Sequence, residues 1–381
     1  MFPTQEIGSL AKPSWRIKAY KGEPLSREDW NEAKRWGTKL EIEDLSGFLR
    51  LLRDKDSPER RKAALEYSAK YAIRFFEKAG LDVIFDGEQW RAEMYEHLVK
   101  NVYGFQFLGY VKCFDYRYFN KATCIRKLKH VRHLYLDEFL FTAENTRKEI
   151  KIPIIGPYTT VDWSFNEYYE KALNKKTGDL RHKHFEARRE FLFDLIKTVM
   201  RPEIRKLVDS GAKWIQIDEP AATTHKTDEE MALFVNGFNE ITKGFNCKFS
   251  LHNCYSDYKT LAKYACELRN CSQLALEFAN RDFGKTRVEN GKRGYDDIKM
   301  FEEHGFRGNY GVGVIDVHRD FIEPPKLVVD RILYVAKLVK NPSRICVSTD
   351  CGLRTRTWET SFGKLRNMVL GAQQARRVFE G

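Results

Sequence analysis

The chain has 381 residues, which is enough for one large domain with a sizeable buried core. Hydrophobic residues make up 42% of it and aromatic residues 13%, so the composition excludes an intrinsically disordered protein. No apolar run is long enough for a membrane helix, and the first residues lack the basic and apolar regions of a secretion signal. We therefore expect a soluble, cytoplasmic protein with no membrane partner.

The formal net charge of +12 raises the question of an anionic partner. Basic residues cluster in segments 126–133 and 181–184, but no recognised nucleic-acid-binding motif accompanies them. We therefore do not expect nucleic acid as a partner. A solvated basic face, or a surface that receives an anionic substrate or an acidic protein, fits the pattern better.

Short apolar runs alternate along the chain with longer segments of helical period, which is typical of parallel strands joined by crossover helices. The sequence contains no repeat or low-complexity linker, so we expect one domain over residues 1–381. The predicted strands lie at residues 5–9, 82–87, 152–156, 213–217, 248–251, 274–278, 310–315 and 344–348.

The segments between these strands carry apolar residues spaced by three and four, which predicts helices. The first of them has clear start signals, with Ser57 as N-cap and Pro58 in the first turn. The predicted helices lie at residues 58–79, 183–208, 228–242, 256–268, 325–339 and 359–379.

Eight strands with intervening helices predict an α/β fold of the (β/α)8 (TIM) barrel type. An open doubly wound sheet is disfavoured because no glycine-rich dinucleotide loop follows an early strand. Residues 10–57 are expected to form a helical addition near the N-terminus. The segment 103–135 is rich in Phe and Tyr, and we interpret it as a β-rich excursion over the barrel mouth.

The active site of such a barrel lies at the carboxyl ends of its strands, so the polar residues that end each apolar run are the candidates. Those ends share a concentration of carboxylates, imidazoles and thiols. They carry Ser9, Glu88, Asp218, Glu219, His252, Cys254, Glu277, Asp316, His318, Asp350 and Cys351.

A zinc site is the chemistry that this pattern favours. His252 and Cys254 alternate on one side of an extended segment, while Glu277 and Cys351 end later strands. Such scattered ligands differ from the paired cysteines of a zinc finger and are typical of a catalytic site. The carboxylate would be the most exchangeable ligand, which would let a substrate thiol enter.

The alternative for each of these residues is an ordinary core position, since a lone His or Cys at a strand end is often only buried. Eight cysteines without a secretion signal do not indicate a disulfide scaffold, so reduced thiols are expected. The cysteines that we interpret as core or incidental are Cys113, Cys124, Cys247, Cys266, Cys271 and Cys346.

Eight motifs occur in the order of one known family. They are FPTQEIGS (2–9), DVIFDGE (82–88) followed by Arg91 and Met94, GP (156–157) with DWSF (162–165), IQIDEPA (215–221), HNCYS (252–256), Glu277, GVGVIDVH (311–318) and DCGLRTR (350–356). In these motifs the chain resembles the C-terminal catalytic barrel of cobalamin-independent methionine synthases along nearly its whole length.

The resemblance implies one zinc ion held by four side chains and a homocysteine site beside it. It assigns the zinc to His252, Cys254, Glu277 and Cys351, the same residues that the strand ends indicate. It assigns homocysteine to Ile7, Ser9, Glu88 and Asp218. An ammonium group favours paired carboxylates, and an α-carboxylate favours N–H and hydroxyl donors.

Alternatives remain open for three of the implied binding residues. Glu88 and Asp218 could instead form a structural salt bridge with an arginine such as Arg91. Trp163 corresponds to the family's aromatic platform for the pterin of the methyl donor. It could also be an ordinary core or surface aromatic residue.

By the same resemblance, the zinc-bound thiolate of homocysteine accepts a methyl group and becomes methionine. A departing pterin nitrogen must gain a proton, and the resemblance makes His318, oriented by Asp316, the candidate acid. A histidine that only forms a hydrogen bond at the rim is the simpler alternative.

Two departures leave the methyl donor open. The full-length family has two barrels where this chain has room for one, and residues 112–119 match the family's folate-contacting strand poorly. The donor could be a methyl-tetrahydrofolate-type pterin, with or without a helper subunit, or a methyl-corrinoid protein. A charge of +12 would suit an acidic protein or a polyglutamate tail.

Two other functions compete with this one. An alkyltransferase of the epoxyalkane to coenzyme M type would use the same zinc barrel, but a sulfonate thiol has no ammonium group to pair with Glu88 and Asp218. A non-catalytic zinc-containing binding protein would not be expected to retain every ligand, both carboxylates and His318.

Overall fold

Parallel strands and amphipathic helices alternate in the computed structural model, which describes residues 1–55, 57–112, 118–173, 179–285 and 294–380. The barrel strands are short, and all of them except β4 are mainly buried, while β2 and β3 form a separate hairpin. The strands are β1 (Val83–Ile84), β2 (Tyr103–Lys112), β3 (Tyr118–Lys129), β4 (Glu149–Ile150), β5 (Ile152–Ile155), β6 (Trp214–Asp218), β7 (Lys248–Asn253), β8 (Cys271–Leu276), β9 (Asn309–Ile315) and β10 (Ile345–Thr349).

The barrel closes through the N-terminal segment. Strands β5 to β10 form a parallel sheet in chain order, and β1 pairs in parallel with β4, which leads into β5. Thr4 forms a parallel bridge with Val347 of β10, and Gln5 forms one with Val83 of β1. These two bridges join the edges of the sheet, so the eight-stranded barrel that the sequence predicts is confirmed.

The first strand is shorter than predicted, because side chains take the hydrogen bonds that a strand partner would make. The carbonyl oxygen of Glu6 accepts a hydrogen bond from Lys151 Nζ at 2.7 Å, and that of Ile7 accepts one from Gln216 Nε2 at 2.6 Å. Only Thr4, Gln5 and Leu10 of this region form bridges within the described chain. The following residues are therefore held at the barrel end without belonging to a strand.

Helices cover the outside of the barrel, and the helices nearest the N-terminus of the chain form an additional layer. Their bounds are α1 (Ser14–Lys21), α2 (Arg27–Lys39), α3 (Leu45–Arg53), α4 (Pro58–Ala79), α5 (Met94–Asn101), α6 (Leu136–Asn145), α7 (Pro157–Asp162), α8 (Glu167–Leu173), α9 (Leu180–Leu195), α10 (Arg201–Asp209), α11 (Asp228–Thr242), α12 (Tyr258–Ala265), α13 (Asp297–Glu303), α14 (Pro325–Leu338) and α15 (Trp358–Glu380).

Local start signals explain where several helices begin. Ser57 caps α4 by accepting the backbone N–H of Glu59 at 3.1 Å, and Gly80 ends that helix in the left-handed conformation. Helix α4 therefore has the predicted bounds. Helices α1 to α3 fill the predicted addition, and Trp15 and Phe48 from them pack edge to face beside α4.

The helix predicted over 183–208 is present but contains a wider turn. A π-helical turn, Ile196–Met200, separates α9 from α10, and Pro202 is the second residue of α10. Proline has no backbone N–H and its ring crowds the carbonyl four residues earlier, so a regular α-helix is disfavoured here. The wider turn accommodates Pro202 and sets the direction of Glu203, which is buried.

Strands β2 and β3 form an antiparallel hairpin, and residues 113–117 between them lie outside the described residues. The hairpin is attached to the segment after α7. Cys124 donates its backbone N–H to Phe165 O at 2.8 Å, and Phe165 donates to Ala122 O at 3.0 Å. The hairpin thus adds to the loop that carries Trp163, at the carboxyl end of β5.

Two further features of the described chain bear on the sequence predictions. Each described cysteine is a free thiol, while Cys113 falls outside the described residues. None of the described helices is both long and apolar enough to cross a membrane.

Glu6 is a buried acid inside the barrel, where both of its carboxylate oxygens lack a hydrogen-bond partner among the described residues. Burial raises the pKa of Glu6 to about 8, against the lowering effect of the Lys151 charge. The folded chain therefore holds a proton that the unfolded chain releases at lower pH. Between these two pKa values the free energy of unfolding must fall as pH rises.

Replacing Glu6→Gln removes this titrating group while keeping a side chain of similar size. Between pH 5 and 7 the wild-type free energy of unfolding should fall with pH by up to about 1.4 kcal/mol per unit more than that of the variant. Denaturant unfolding at several pH values measures the two slopes. The exposed Glu43→Gln should keep the wild-type slope, and a Glu6→Gln slope equal to wild type would contradict the buried proton.

Candidate metal centre and substrate site

Three potential metal ligands converge at the carboxyl ends of β7 and β10. One ligand atom from each of His252, Cys254 and Cys351 lies within 4.8 Å of the other two. His252 lies near the end of β7 and Cys254 directly follows that strand, while Cys351 follows β10, which two strands separate from β7. Closure of the barrel is therefore what brings residues so distant in sequence to one point.

The imidazole of His252 is oriented for ligation. Its Nδ1 lies 3.0 Å from Ala275 O on β8, which assigns the ring proton to Nδ1. Nε2 is buried and has no hydrogen-bond partner in the described part of the chain. A buried imidazole nitrogen beside two thiols is a donor set that fits a metal ion such as zinc.

Glu277 lies beside this cluster and is not part of it. Its Oε1 accepts the backbone N–H of Tyr255 at 2.8 Å, and Arg281 Nη2 is 3.7 Å from the same oxygen. Its Oε2 is buried without a hydrogen-bond partner among the described residues. The structure thus brings three of the four expected ligands together and leaves the fourth adjacent, with one oxygen available.

The two thiols have pKa values that are shifted in opposite directions. Contact with the Cys254 thiol and the nearby charge of His252 hold the pKa of Cys351 well below its usual range, against the effect of burial. The same contact with Cys351, together with burial, raises the pKa of Cys254. One thiolate beside an imidazole is a favourable starting set for a dication such as zinc.

Asp350 fixes the position of Cys351 relative to Glu277. Its buried carboxylate accepts the backbone N–H groups of Phe278, Ala279 and Asn280 at 2.8, 2.9 and 2.7 Å. These three residues follow Glu277 directly, and Cys351 follows Asp350. A side chain at Gly313 would overlap this carboxylate, so the glycine there leaves room for it.

The predicted substrate residues surround the metal ligands. Asp218 is the register partner of His252, and its Oδ1 accepts Gln216 Nε2 at 2.8 Å. The same Nε2 donates to Ile7 O, so one amide joins the two predicted contacts. Burial raises the pKa of Asp218 to about 7, against the lowering effect of the His252 charge.

Ser9 and Glu88 complete this side of the site. A Cβ added at Gly352, next to Cys351, would overlap Ser9 Oγ, and one added at Gly8 would lie 2.6 Å from Glu88 Oε1. Glu88 itself has a φ of +55°, and its backbone N–H donates to Asp86 Oδ1 at 2.8 Å. Both side chains therefore lie against glycines of the motifs that carry the site.

Arg91, the suggested structural partner of Glu88, is engaged elsewhere. Its Nε lies 2.9 and 3.0 Å from the two carboxylate oxygens of Glu138, and both side chains are buried. This bidentate pair contributes to the wall behind the site. Glu88 is thus not held in the alternative salt bridge with Arg91 that the sequence left open.

Trp163 lies at the end of α7, half-buried, with its ring 6.0 Å from that of Tyr95 in an edge-to-face arrangement. Glu219 holds the beginning of this helix, because its carboxylate accepts the N–H groups of Tyr158 and Thr159 at 3.0 and 2.7 Å. Glu219 follows Asp218, so the end of β6 positions both the carboxylate of Asp218 and the helix that leads to Trp163.

His318 is exposed, and its ring contacts Tyr255, which the sequence analysis did not identify. Tyr255 Oη lies 3.1 Å from His318 Nδ1, and the two ring centroids are 5.3 Å apart. Asp316 Oδ1 accepts the backbone N–H of His318 at 2.8 Å, so Asp316 holds the loop that carries His318. In the sequence, only its position directly after Cys254 indicates that Tyr255 lies near the site.

The family described as "Cobalamin-independent synthase, Catalytic domain" matches residues 50–374. The methionine synthase of Thermoplasma volcanium is 39% identical over 96% of this chain and 96% of its own length. That of Pyrococcus horikoshii is 35% identical over 100% of this chain and 94% of its own length. These relatives therefore have nearly the same length as this chain.

Solved structures agree on the fold. A B12-independent methionine synthase from Shewanella sp. W3-18-1 superposes with a TM-score of 0.75 at 20% identity, covering 100% of this chain and 99% of the other. A putative B12-independent methionine synthase from Listeria monocytogenes gives a TM-score of 0.66 at 16% identity, with 98% of each chain covered. Together with the family match over most of its length, this assigns the chain to the cobalamin-independent methionine synthases, as a single catalytic barrel.

Proposed function

We propose that this protein is a zinc-dependent methyltransferase that transfers a methyl group to the thiol of L-homocysteine and so forms methionine. The observation that carries the proposal is the convergence of His252, Cys254 and Cys351, with Asp218 in register beside them. The relatives named methionine synthase support the same activity. His252, Cys254, Cys351 and the free oxygen of Glu277 would hold the zinc.

Zinc, when bound, supplies the Lewis acidity that keeps a substrate thiol deprotonated near neutral pH. The residues around it supply the recognition of an amino acid. Glu88 and Asp218 would pair with the ammonium group of homocysteine, and an adjacent cation favours the ionised form of Asp218. Ser9 and the backbone near Ile7 would bind the α-carboxylate. A thiol without an ammonium group would leave both buried carboxylates unpaired, which is costly.

The donor side is proposed to involve Trp163 and His318. A flat pterin would stack on Trp163, whose position is fixed through α7 and the hairpin. His318 would give a proton to the departing nitrogen, with Tyr255 holding its ring and Asp316 its loop. The donor would be a methyl-tetrahydrofolate-type pterin or the methyl group of a corrinoid protein, with a helper subunit where the donor requires one.

The proposal is tested by elemental analysis followed by titration with L-homocysteine under reducing conditions. About one zinc per chain at this centre, proton release on binding and a new sulfur ligand in the zinc X-ray absorption edge are expected. Turnover is then assayed with methyl-tetrahydrofolate and with methylcobalamin. A zinc centre that responds to coenzyme M and ignores homocysteine would contradict the proposal, as would a protein that binds neither thiol.

Cys351→Ser should remove the negatively charged ligand while leaving the barrel folded, because Cys351 lies at a strand end and is only partly buried. Zinc at this centre should fall well below one per chain and methionine formation should be lost. The matched control is Cys266→Ser, an exposed free thiol on α12's carboxyl side, which should keep both. Full zinc content in Cys351→Ser, with an unchanged circular dichroism spectrum, would exclude Cys351 as a ligand.

Asp350→Asn should weaken zinc binding without removing a ligand. An amide has one acceptor oxygen where the carboxylate uses two for three N–H groups, so Cys351 and Glu277 lose their fixed separation. Zinc affinity should fall about 10- to 100-fold, as measured by competition with a chelator. Asp209→Asn, at an exposed position, serves as the control. Wild-type affinity in Asp350→Asn would contradict this positioning role.

A further inference from the structure

A second cluster of metal-ligating side chains lies away from the centre described above, at the base of the hairpin. One ligand atom from each of His130, His133 and Glu203 lies within 4.8 Å of the other two. His130 follows the end of β3, His133 precedes α6, and Glu203 belongs to α10. Three separate elements therefore meet at this point.

Glu203 is the buried centre of the cluster. Its Oε2 accepts the backbone N–H of Leu134 at 2.9 Å and that of Tyr135 at 3.4 Å. Its Oε1 contacts His130 Nε2 and lies 3.3 Å from His133 Nδ1. The backbone contacts fix the carboxylate, so that Oε1 faces both imidazoles, as outer hydrogen bonds do for metal-binding carboxylates.

The charge of this carboxylate has no permanent counter-charge. Among the described residues, the ion pairs of Glu203 are with these two histidines alone, and none of them is with a lysine or an arginine. The basic side chains nearby are directed elsewhere: Arg126 and Lys129 lie over the ring of Tyr103, and Arg132 contacts Asn101. A buried carboxylate without a cation is costly, and a bound dication would remove that cost.

We propose that His130, His133 and Glu203 form a second metal site, for Zn²⁺ or a similar divalent transition ion. Two imidazoles and one carboxylate are a ligand set that zinc accepts, and the fourth position is left to water. The side chain of His130 is 20% exposed and that of His133 is 36% exposed, so an ion can reach the site from solvent.

The role that follows from the geometry is attachment of the hairpin. An ion bound here would join the end of β3 to α10 and to the start of α6, in addition to the hydrogen bonds that exist already. The hairpin in turn pairs with Phe165, two residues after Trp163. Metal binding at its base would thus stabilise the wall that carries the proposed donor platform.

The test separates the two sites by removing the first. In the Cys254→Ser, Cys351→Ser double variant, equilibrium dialysis against buffered Zn²⁺ and elemental analysis should still find about one zinc per chain. Adding His133→Gln should weaken this binding by at least about tenfold, since one of three ligands is lost. Adding His184→Gln should not, because His184 pairs with an exposed carboxylate on α8.

Two further measurements guard against a folding artefact. Glu203→Gln keeps an acceptor oxygen for the N–H groups of Leu134 and Tyr135, and it should also lose the ion while keeping the circular dichroism spectrum. Zinc should raise the melting temperature of the double variant and should raise it less once His133→Gln is added, because an ion that binds only the folded chain stabilises it. A double variant that binds no zinc, or one that keeps it after His133→Gln, would overturn the proposal.

Discussion

The candidate metal centre depends on one set of hydrogen bonds, in which the carboxylate of Asp350 accepts three consecutive backbone N–H groups. These bonds join the loop after β8 to the loop after β10. Without them, Glu277 and Cys351 would stand on two independent loops, and the separation of their ligand atoms would vary with loop motion. Because the carboxylate is buried and its acceptor sites are filled, the separation is set by the fold before any ion or substrate arrives.

The sequence predicts the helices best where their start signals are local. Ser57 and Pro58 define the start of α4 without help from the rest of the chain, and the structure agrees to the residue. The first strand could not be predicted in the same way. Lys151 and Gln216, which take its carbonyl oxygens, are far away in sequence, so its loss of strand pairing is a tertiary effect. The wider turn before Pro202 has a visible local cause, yet the periodicity of the segment hides it.

The candidate site is predictable to the extent that it consists of residues ending strands. Cys254 and Cys351 fall into place once a closed barrel is assumed, since that assumption alone brings strand ends together. Residues that act through contacts between loops escape this reasoning. Tyr255 contacts His318 from a backbone conformation with positive φ, which the hydrophobic pattern of the sequence does not predict. Glu203 and His130 come from different elements, and the spacing between them carries no periodic signal.

Strand β6 ends in two neighbouring carboxylates with different tasks. Asp218 faces the proposed amino-acid site, while Glu219 holds the first turn of α7 and with it Trp163. One peptide bond therefore joins the residue at the proposed amino-acid site to the residue that holds the helix of Trp163. In the proposed reaction, a change in this dipeptide would therefore shift the acceptor side and the donor side together.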